Sequence, residues 1–132
     1  MTDLIAFDLV SPERLLLSEE AVMVTVPGRE GEFGVLAGHM PLITTLKPGI
    51  IDVKGGTLGD ARFFVLGGFA EANPQKLTIL AEEATPLAEV DVAALDQRIK
   101  DALEDLALAK TDTERTAVAE TLDSLRQLRT AL

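Results

Sequence analysis

The chain has 132 residues, 47% of them hydrophobic, which suffices for one ordinary domain or one compact domain with an appendage. Its 22 acidic and 12 basic side chains give a net charge of −10, which argues against non-specific binding to nucleic acid or to an anionic lipid surface. The absence of cysteine excludes disulfides and thiolate metal sites.

The N-terminal residues MTDLIAFD lack the basic segment and the apolar run of a secretory signal. No apolar run in the chain approaches the roughly 18 residues that cross a bilayer as a helix. We therefore expect a cytosolic protein, or one that is peripheral on a cytosolic membrane face.

Up to about residue 84 the hydrophobic residues recur with a period of two, as in a β-strand with one buried face. Ile5, Phe7 and Leu9 show this alternation, and so do Leu77 and Ile79. In the segment 21–26 the three valines are predicted to share one face of a strand.

Turn-forming residues separate these runs at short intervals. Residues 55–60 have the composition of a hairpin connection between strands at 50–54 and 62–66. About ten short strands predict an N-terminal antiparallel β-sandwich domain over residues 1–86.

After Pro86 the hydrophobic period becomes helical, with Asp91 as a candidate N-cap and Thr111 with Glu114 as a capping box. Two apolar stripes with i, i+3, i+4 spacing follow these caps: Val92, Leu95, Ile99, Ala102, Leu103 and Leu106, then Val118, Thr121, Leu122, Leu125 and Leu128. Two such helices joined by about four residues predict an antiparallel α-helical hairpin domain over residues 87–132, so the fold class is α+β.

The sequence offers no clear reaction centre. His39 is the single histidine and has no carboxylates at ligand spacing, so we expect it to fix a turn or contact a partner. We expect no metal site, no cofactor and no catalytic residue. The acid pairs Glu19–Glu20 and Glu82–Glu83 are predicted to be solvated surface, because two ionised carboxylates are costly to bury unpaired.

One segment is more specific than composition. Residues 26–42, VPGREGEFGVLAGHMPL, followed by LKPGII, resemble the signature stretch of epsilon subunits of F-type ATP synthases. The segments FDLVSPE, LGGFAEA and LTILAE are similar to the same family. The resemblance covers the predicted sandwich and implies a helical hairpin after it.

This resemblance implies a non-catalytic rotor subunit of the central stalk, which links the gamma subunit to the membrane rotor ring and couples proton translocation to ATP synthesis. It implies one copy per complex, peripheral on the cytoplasmic side of the bacterial plasma membrane, with no direct lipid insertion and no nucleic acid. By similarity, Glu30, Gly31 and Glu32 would meet the rotor ring, whereas Ser11 and His39 would face the gamma subunit.

The second half departs from the family pattern. Some members bind ATP through Ile/Leu-Asp-x-x-Arg-Ala; here Asp91 fits, but Ala94 takes the arginine position and Leu95 the alanine position. Without that guanidinium we expect no nucleotide site. The last helix has few basic residues, so we expect at most weak regulation of ATP hydrolysis through a contact of the hairpin with the catalytic head.

Two other functions stay open at this point. The chain could be a free-standing regulatory module that releases its helical hairpin to bind a target, or a small enzyme that uses His39 with a nearby acid. Co-purification with the gamma subunit and the rotor ring distinguishes the stalk subunit from the module.

Overall fold

The computed structural model describes residues 3–132, and the chain divides into two compact units, Met1–Leu87 and Ala88–Leu132. Within the described residues the first unit contains ten strands: β1 (Ile5–Val10), β2 (Leu15–Ala21), β3 (Met23–Gly28), β4 (Gly31–Val35), β5 (Leu42–Leu46), β6 (Gly49–Lys54), β7 (Ala61–Val65), β8 (Gly68–Ala72), β9 (Lys76–Ala81) and β10 (Ala84–Pro86).

The strands form one continuous sheet in the order β10-β7-β6-β3-β5-β8-β9-β1-β2, with β4 attached to β3. The pairing of β3 with β5 is limited to Gly28 opposite Leu46, and this narrow junction is the corner where the sheet turns from one layer to the other. The predicted β-sandwich is therefore confirmed.

Alternate residues of the strands fill the space between the layers, because successive side chains point to opposite faces of a strand. Fully buried side chains from both layers meet there: Ile5, Phe7, Leu9, Val24, Val26, Ile51, Val53, Leu77 and Ile79. The predicted alternation in β1 and β9 is thus confirmed, and aliphatic burial of this kind is the main stabilising contribution to the sandwich.

Two details differ from the sequence-based prediction. β1 pairs in parallel with β9, with Ala6 opposite Lys76, whereas the other described pairings are antiparallel. The segment 21–26 is not one strand, because Ala21 ends β2 and Val22 lies at a bend before β3. Periodicity detects a strand but neither its partner nor its direction.

The second unit consists of two helices, α1 (Val92–Leu108) and α2 (Asp112–Ala131), and a 3₁₀ turn at Leu87–Glu89 precedes them. The Asp91 carboxylate accepts hydrogen bonds from the backbone N–H groups of Ala93 and Ala94 and so caps α1 as predicted. Each helix buries part of its predicted stripe: Leu95 and Ala102 on α1, and Leu122, Leu125 and Leu128 on α2. Val92 and Leu103, which were predicted in the α1 stripe, are exposed.

The helices run antiparallel, since only residues 109–111 join them and Asp96 near the start of α1 binds Arg129 near the end of α2 at 2.9 Å. Thr111 caps α2 by accepting the Glu114 N–H, as the capping box predicts. The Glu114 carboxylate reaches back to the N–H of Lys110 rather than to that of Thr111. The predicted helical hairpin is confirmed.

Candidate functional site

The predicted ring-contact residues lie on the hairpin that joins β3 and β4. Gly28 stands opposite Gly31, so Arg29 and Glu30 form a two-residue turn. Gly31 has φ of +139°, a backbone conformation that favours glycine. Residues 29–32, which we call the acidic tip, therefore owe their shape to local sequence.

The acidic tip is tied to the neighbouring strand. The N–H of Arg29 donates to the carbonyl of Thr45 at 3.0 Å, and the N–H of Lys47 donates to the carbonyl of Pro27 at 3.1 Å. Glu30 lies in the turn and Glu32 in β4, and both side chains are exposed. The tip thus presents two carboxylates, suited to cationic or hydrogen-bond-donating partners, on a fixed backbone.

Ser11 lies in the turn that joins β1 to β2. Its hydroxyl donates to the carbonyl of Arg14 at 3.2 Å and accepts the N–H of the same residue at 3.3 Å, while its own N–H donates to that carbonyl at 2.9 Å. The side chain therefore closes the turn. It also lines a cleft of about 170 Å³ together with Pro12, Phe69 and Leu80.

His39 lies in the loop between β4 and β5. The loop is fixed by the N–H of Gly38, which donates to the carbonyl of Pro74 at 2.7 Å, and by the N–H of His39, which donates to the carbonyl of Leu36 at 3.1 Å. Its ring contacts the backbone of Met40 through Nδ1 and lies beside the ring of Phe33, with 6.3 Å between the centroids.

The structure does not bring these predicted positions together. Ser11 follows Val10, which stands opposite Leu80 at the end of β9, whereas His39 follows Gly38, whose N–H binds Pro74 just before β9 begins. The acidic tip lies at the Ser11 end, because Gly28, Leu46, Gly68 and Ala81 are registered in one row across the sheet. Ser11 and His39 therefore mark opposite ends of one layer.

Between these ends lies an exposed apolar surface that sequence analysis missed. Phe69 is opposite Leu80, and Leu80 is opposite Val10, so the three side chains form one row on the outward side of the layer. Phe69 is 54% exposed and Leu80 52%, and Ile43 of β5 lies on the same side with 73% exposure. We call Val10, Ile43, Phe69 and Leu80 the apolar face. Its residues are dispersed over four strands, so only the strand order reveals it.

Glu19 is a further residue whose environment was predicted wrongly. Only 9% of it is exposed, and its Oε2 accepts the N–H of Leu58 at 3.0 Å. A β-carbon on Gly56 would lie 2.5 Å from its Oε1, so the loop of residues 55–60 covers this carboxylate closely. Glu19 thus fixes the loop between β6 and β7, whereas Glu20, Glu82 and Glu83 are exposed as predicted.

Among residues 3–132, Asp8 is the titratable group whose pKa the structure shifts clearly. The Lys76 ammonium, 2.8 Å away, and the Ser18 hydroxyl both bind the Asp8 carboxylate and lower its pKa below the usual value. Asp8 on β1, Lys76 on β9 and Ser18 on the adjoining β2 lie on the same outward surface as the apolar face.

Across residues 3–132, no helix is both long and apolar enough to span a membrane. The same residues bring no three His, Asp or Glu side chains into an arrangement that could hold a metal ion.

The fold and the sequence match a known family. Residues 4–87 match the ATP synthase delta/epsilon chain β-sandwich domain. An ATP synthase epsilon chain of Parvibaculum lavamentivorans is 50% identical over 98% of both chains, and one of Mesorhizobium japonicum is 46% identical over 100% of this chain and 98% of its own.

Solved structures agree. A chain in the Euglena gracilis mitochondrial ATP synthase assembly of OSCP, F1 and c-ring superposes with a TM-score of 0.80 and 28% identity, over 97% of this chain and 81% of that one. A chain in the central stalk and c-ring of the Tetrahymena thermophila enzyme shares the fold, with a TM-score of 0.75 and 17% identity, over 96% of this chain and 95% of that one. The chain belongs to the ATP synthase epsilon chain family.

Proposed function

We propose that this chain is the non-catalytic rotor subunit of an ATP synthase central stalk that links the gamma subunit to the membrane rotor ring. Membership of the ATP synthase epsilon chain family supports its place in an ATP synthase complex. The observation that carries the link is a sandwich that bears the apolar face on the outward side of one layer, and the acidic tip on the β3–β4 hairpin that pairs with this layer at its corner. Two different surfaces on one rigid body suit a part that transmits torque between two neighbours.

The apolar face is the proposed contact with the gamma subunit. Its side chains are more than half exposed at Ile43, Phe69 and Leu80, and such a patch on one layer is typical of a protein interface. Ser11 lines the cleft beside Phe69, and His39 lies at the far end of the same layer, so both predicted gamma contacts border this surface.

The acidic tip is the proposed contact with the rotor ring. Glu30 and Glu32 would bind polar or basic groups of the ring loops. The backbone hydrogen bonds to the carbonyls of Thr45 and Pro27 would hold the tip in place while torque is transmitted. The proposal includes one copy per complex, a peripheral position on the cytoplasmic side of the bacterial plasma membrane, and chemistry that stays on other subunits.

The whole proposal is tested by affinity purification of the tagged chain from detergent-solubilised membranes. We expect the gamma subunit and the ring protein to be recovered with it reproducibly, with gamma in near-equal amount. Recovery of the chain with neither the gamma subunit nor the ring protein would instead support a free-standing regulatory module.

The two contacts are separated by variants. Phe69→Glu combined with Leu80→Glu should lower recovery of gamma at least tenfold, because two charges would be buried without partners. Leu58→Glu combined with Leu108→Glu is the matched control, since both leucines are exposed outside the apolar face. Equal loss of gamma with the control would overturn the assignment of this face.

The double variant Glu30→Lys with Glu32→Lys should weaken attachment of the ring while gamma binding is retained. Glu104→Lys combined with Asp105→Lys, which changes two exposed carboxylates of α1, is the control for net charge. If ring attachment is unchanged in the tip variant, the acidic tip is not the ring contact.

A further inference from the structure

His39 is held in a defined orientation by two neighbours. Its Nδ1 lies 2.6 Å from the carbonyl oxygen of Met40. Its ring lies beside that of Phe33, at an interplanar angle of 36°, and Phe33 itself packs against the core of the sandwich. The loop around it is anchored by backbone hydrogen bonds to Leu36 and Pro74.

This contact determines which ring nitrogen carries the hydrogen. A carbonyl oxygen can only accept a hydrogen bond, so the Nδ1 of His39 must donate. In the neutral ring the hydrogen is therefore on Nδ1, and Nε2 keeps its lone pair. Among the described residues, no hydrogen-bond partner of Nε2 is observed, and the side chain is half-buried rather than covered.

The loop that carries this acceptor leads directly into a strand of the apolar face. Met40, the next residue, is 78% exposed, and Ile43 on the first strand after the loop belongs to the apolar face. A fixed polar atom at the margin of an exposed apolar surface gives an interface orientation and specificity rather than bulk affinity.

We infer that His39 presents Nε2 as a hydrogen-bond acceptor that is matched by an N–H or O–H donor of the gamma subunit. This inference rests on the proposed function, because it takes the apolar face as the gamma contact, and it adds the chemistry that the partner must supply at this corner. The Nδ1 bond to Met40 prepares the acceptor before binding, so little side-chain ordering is left to the association step.

The tautomer can be measured on the free chain. Because His39 is the single histidine, a long-range ¹H–¹⁵N spectrum of the full chain contains one imidazole. In the spectrum of the neutral ring we expect a protonated Nδ1 and an unprotonated Nε2. An Nε2–H tautomer would overturn the inference, whatever the binding results.

The partner donor is tested with three substitutions and purified gamma subunit. His39→Gln places an amide oxygen near the position of Nε2 and should bind gamma within about threefold of the wild type. His39→Asn keeps a donor for Met40 but loses the outer acceptor, and should bind about 5- to 20-fold more weakly. His39→Phe keeps the ring against Phe33 without either nitrogen and should weaken binding as Asn does.

The outcomes separate the two claims. Equal affinities of the Gln, Asn and wild-type chains would overturn the acceptor role while the gamma contact stands. Failure of the wild-type chain to bind gamma would overturn the proposed function, and this inference with it.

Discussion

Gly68 shows how one residue controls the contact between two strands. It begins β8 with φ of +129°, and a β-carbon there would lie 1.9 Å from the carbonyl oxygen of Leu80 in β9. No side-chain rotation relieves a clash with backbone. The position therefore requires glycine for two independent reasons, conformation and space.

Gly68→Ala should lower the free energy of unfolding by at least about 3 kcal/mol, because β8 and β9 would have to separate. Denaturant unfolding followed by circular dichroism measures this. Gly59→Ala is the control, since Gly59 also has positive φ but nothing lies within 4 Å of its added β-carbon. We expect the control to lose only about 1 kcal/mol, and similar losses for both variants would contradict the argument from space.

Asp8 gives a prediction of pH dependence. Lys76 and Ser18 lower its pKa in the folded chain, so its contribution to stability is present above the pKa of an unfolded Asp, about 3.9, and is lost as pH falls through the lower folded pKa. Because the carboxylate is 22% and the ammonium 46% exposed, solvent screens the pair, and we expect a contribution of about 0.5–1 kcal/mol.

Asp8→Asn should therefore be less stable than the wild type at neutral pH, and the difference should shrink towards zero below about pH 4. Urea unfolding at several pH values measures the two stabilities. Asp3→Asn, which changes an exposed acid near the chain start, is the control. A difference that grows on acidification would contradict the assigned pair.

The N-terminal cap of α2 stabilises the second unit. The Thr111 hydroxyl accepts the N–H of Glu114 at 3.1 Å, one of the N–H groups that the first turn of a helix leaves without an intrahelical partner. Thr111→Ala should cost about 1 kcal/mol.

The measurement is the loss of helical circular dichroism at 222 nm on heating, where the variant should melt earlier than the wild type. Thr113→Ala changes an exposed threonine within α2 and is the matched control. If both variants melt alike, the capping bond contributes nothing measurable.

The elements differ in how far local sequence determines them. Alternation in β1 and β9, the glycine-rich connection of β6 to β7, and both helix caps were predictable, because each depends on neighbouring residues. The parallel pairing of β1 with β9 was not, since it depends on contacts between distant segments. Val22 was placed in a strand wrongly for a related reason: its apolar side chain fits the period, but the chain bends there.

The candidate site divides in the same way. The exposed turn at Glu30 follows from Gly31 and was predictable, whereas the apolar face needs the strand order that sets Phe69 beside Leu80. Glu19 was predicted at the surface because adjacent acidic residues are usually solvated. The side chains of Glu19 and Glu20 point to opposite sides of β2, however, and the loop at Leu58 covers Glu19. The roles of Ser11 and His39 in binding stay predictions.

We expect that the full chain does not bind ATP at micromolar concentrations. The Asp91 carboxylate accepts the hydrogen bonds that cap α1, and Ala94 has no guanidinium that could bind a phosphate. Isothermal titration calorimetry of the full chain with ATP measures this. Heat of binding with micromolar affinity would contradict the prediction.

We also propose that the two compact units are independent domains. A chain ending at Leu87 should remain folded, unfold cooperatively and still assemble with gamma. In the assembled complex, ATP hydrolysis should stay within about twofold of the wild type, because α2 has few basic residues to hold the hairpin against an acidic head. A several-fold rise in hydrolysis after truncation would show that the hairpin inhibits.

The parallel pair has a consequence for the order in which the protein forms. As the chain leaves the ribosome, β1 can join β2 at once, but its other neighbour arrives seventy residues later, with Lys76 opposite Ala6. Until then the nascent ribbon has an open edge, and two strands alone are marginally stable in water. Completion of the first unit must await the emergence of β9, so nascent chains stalled before that point are the species most exposed to misassembly.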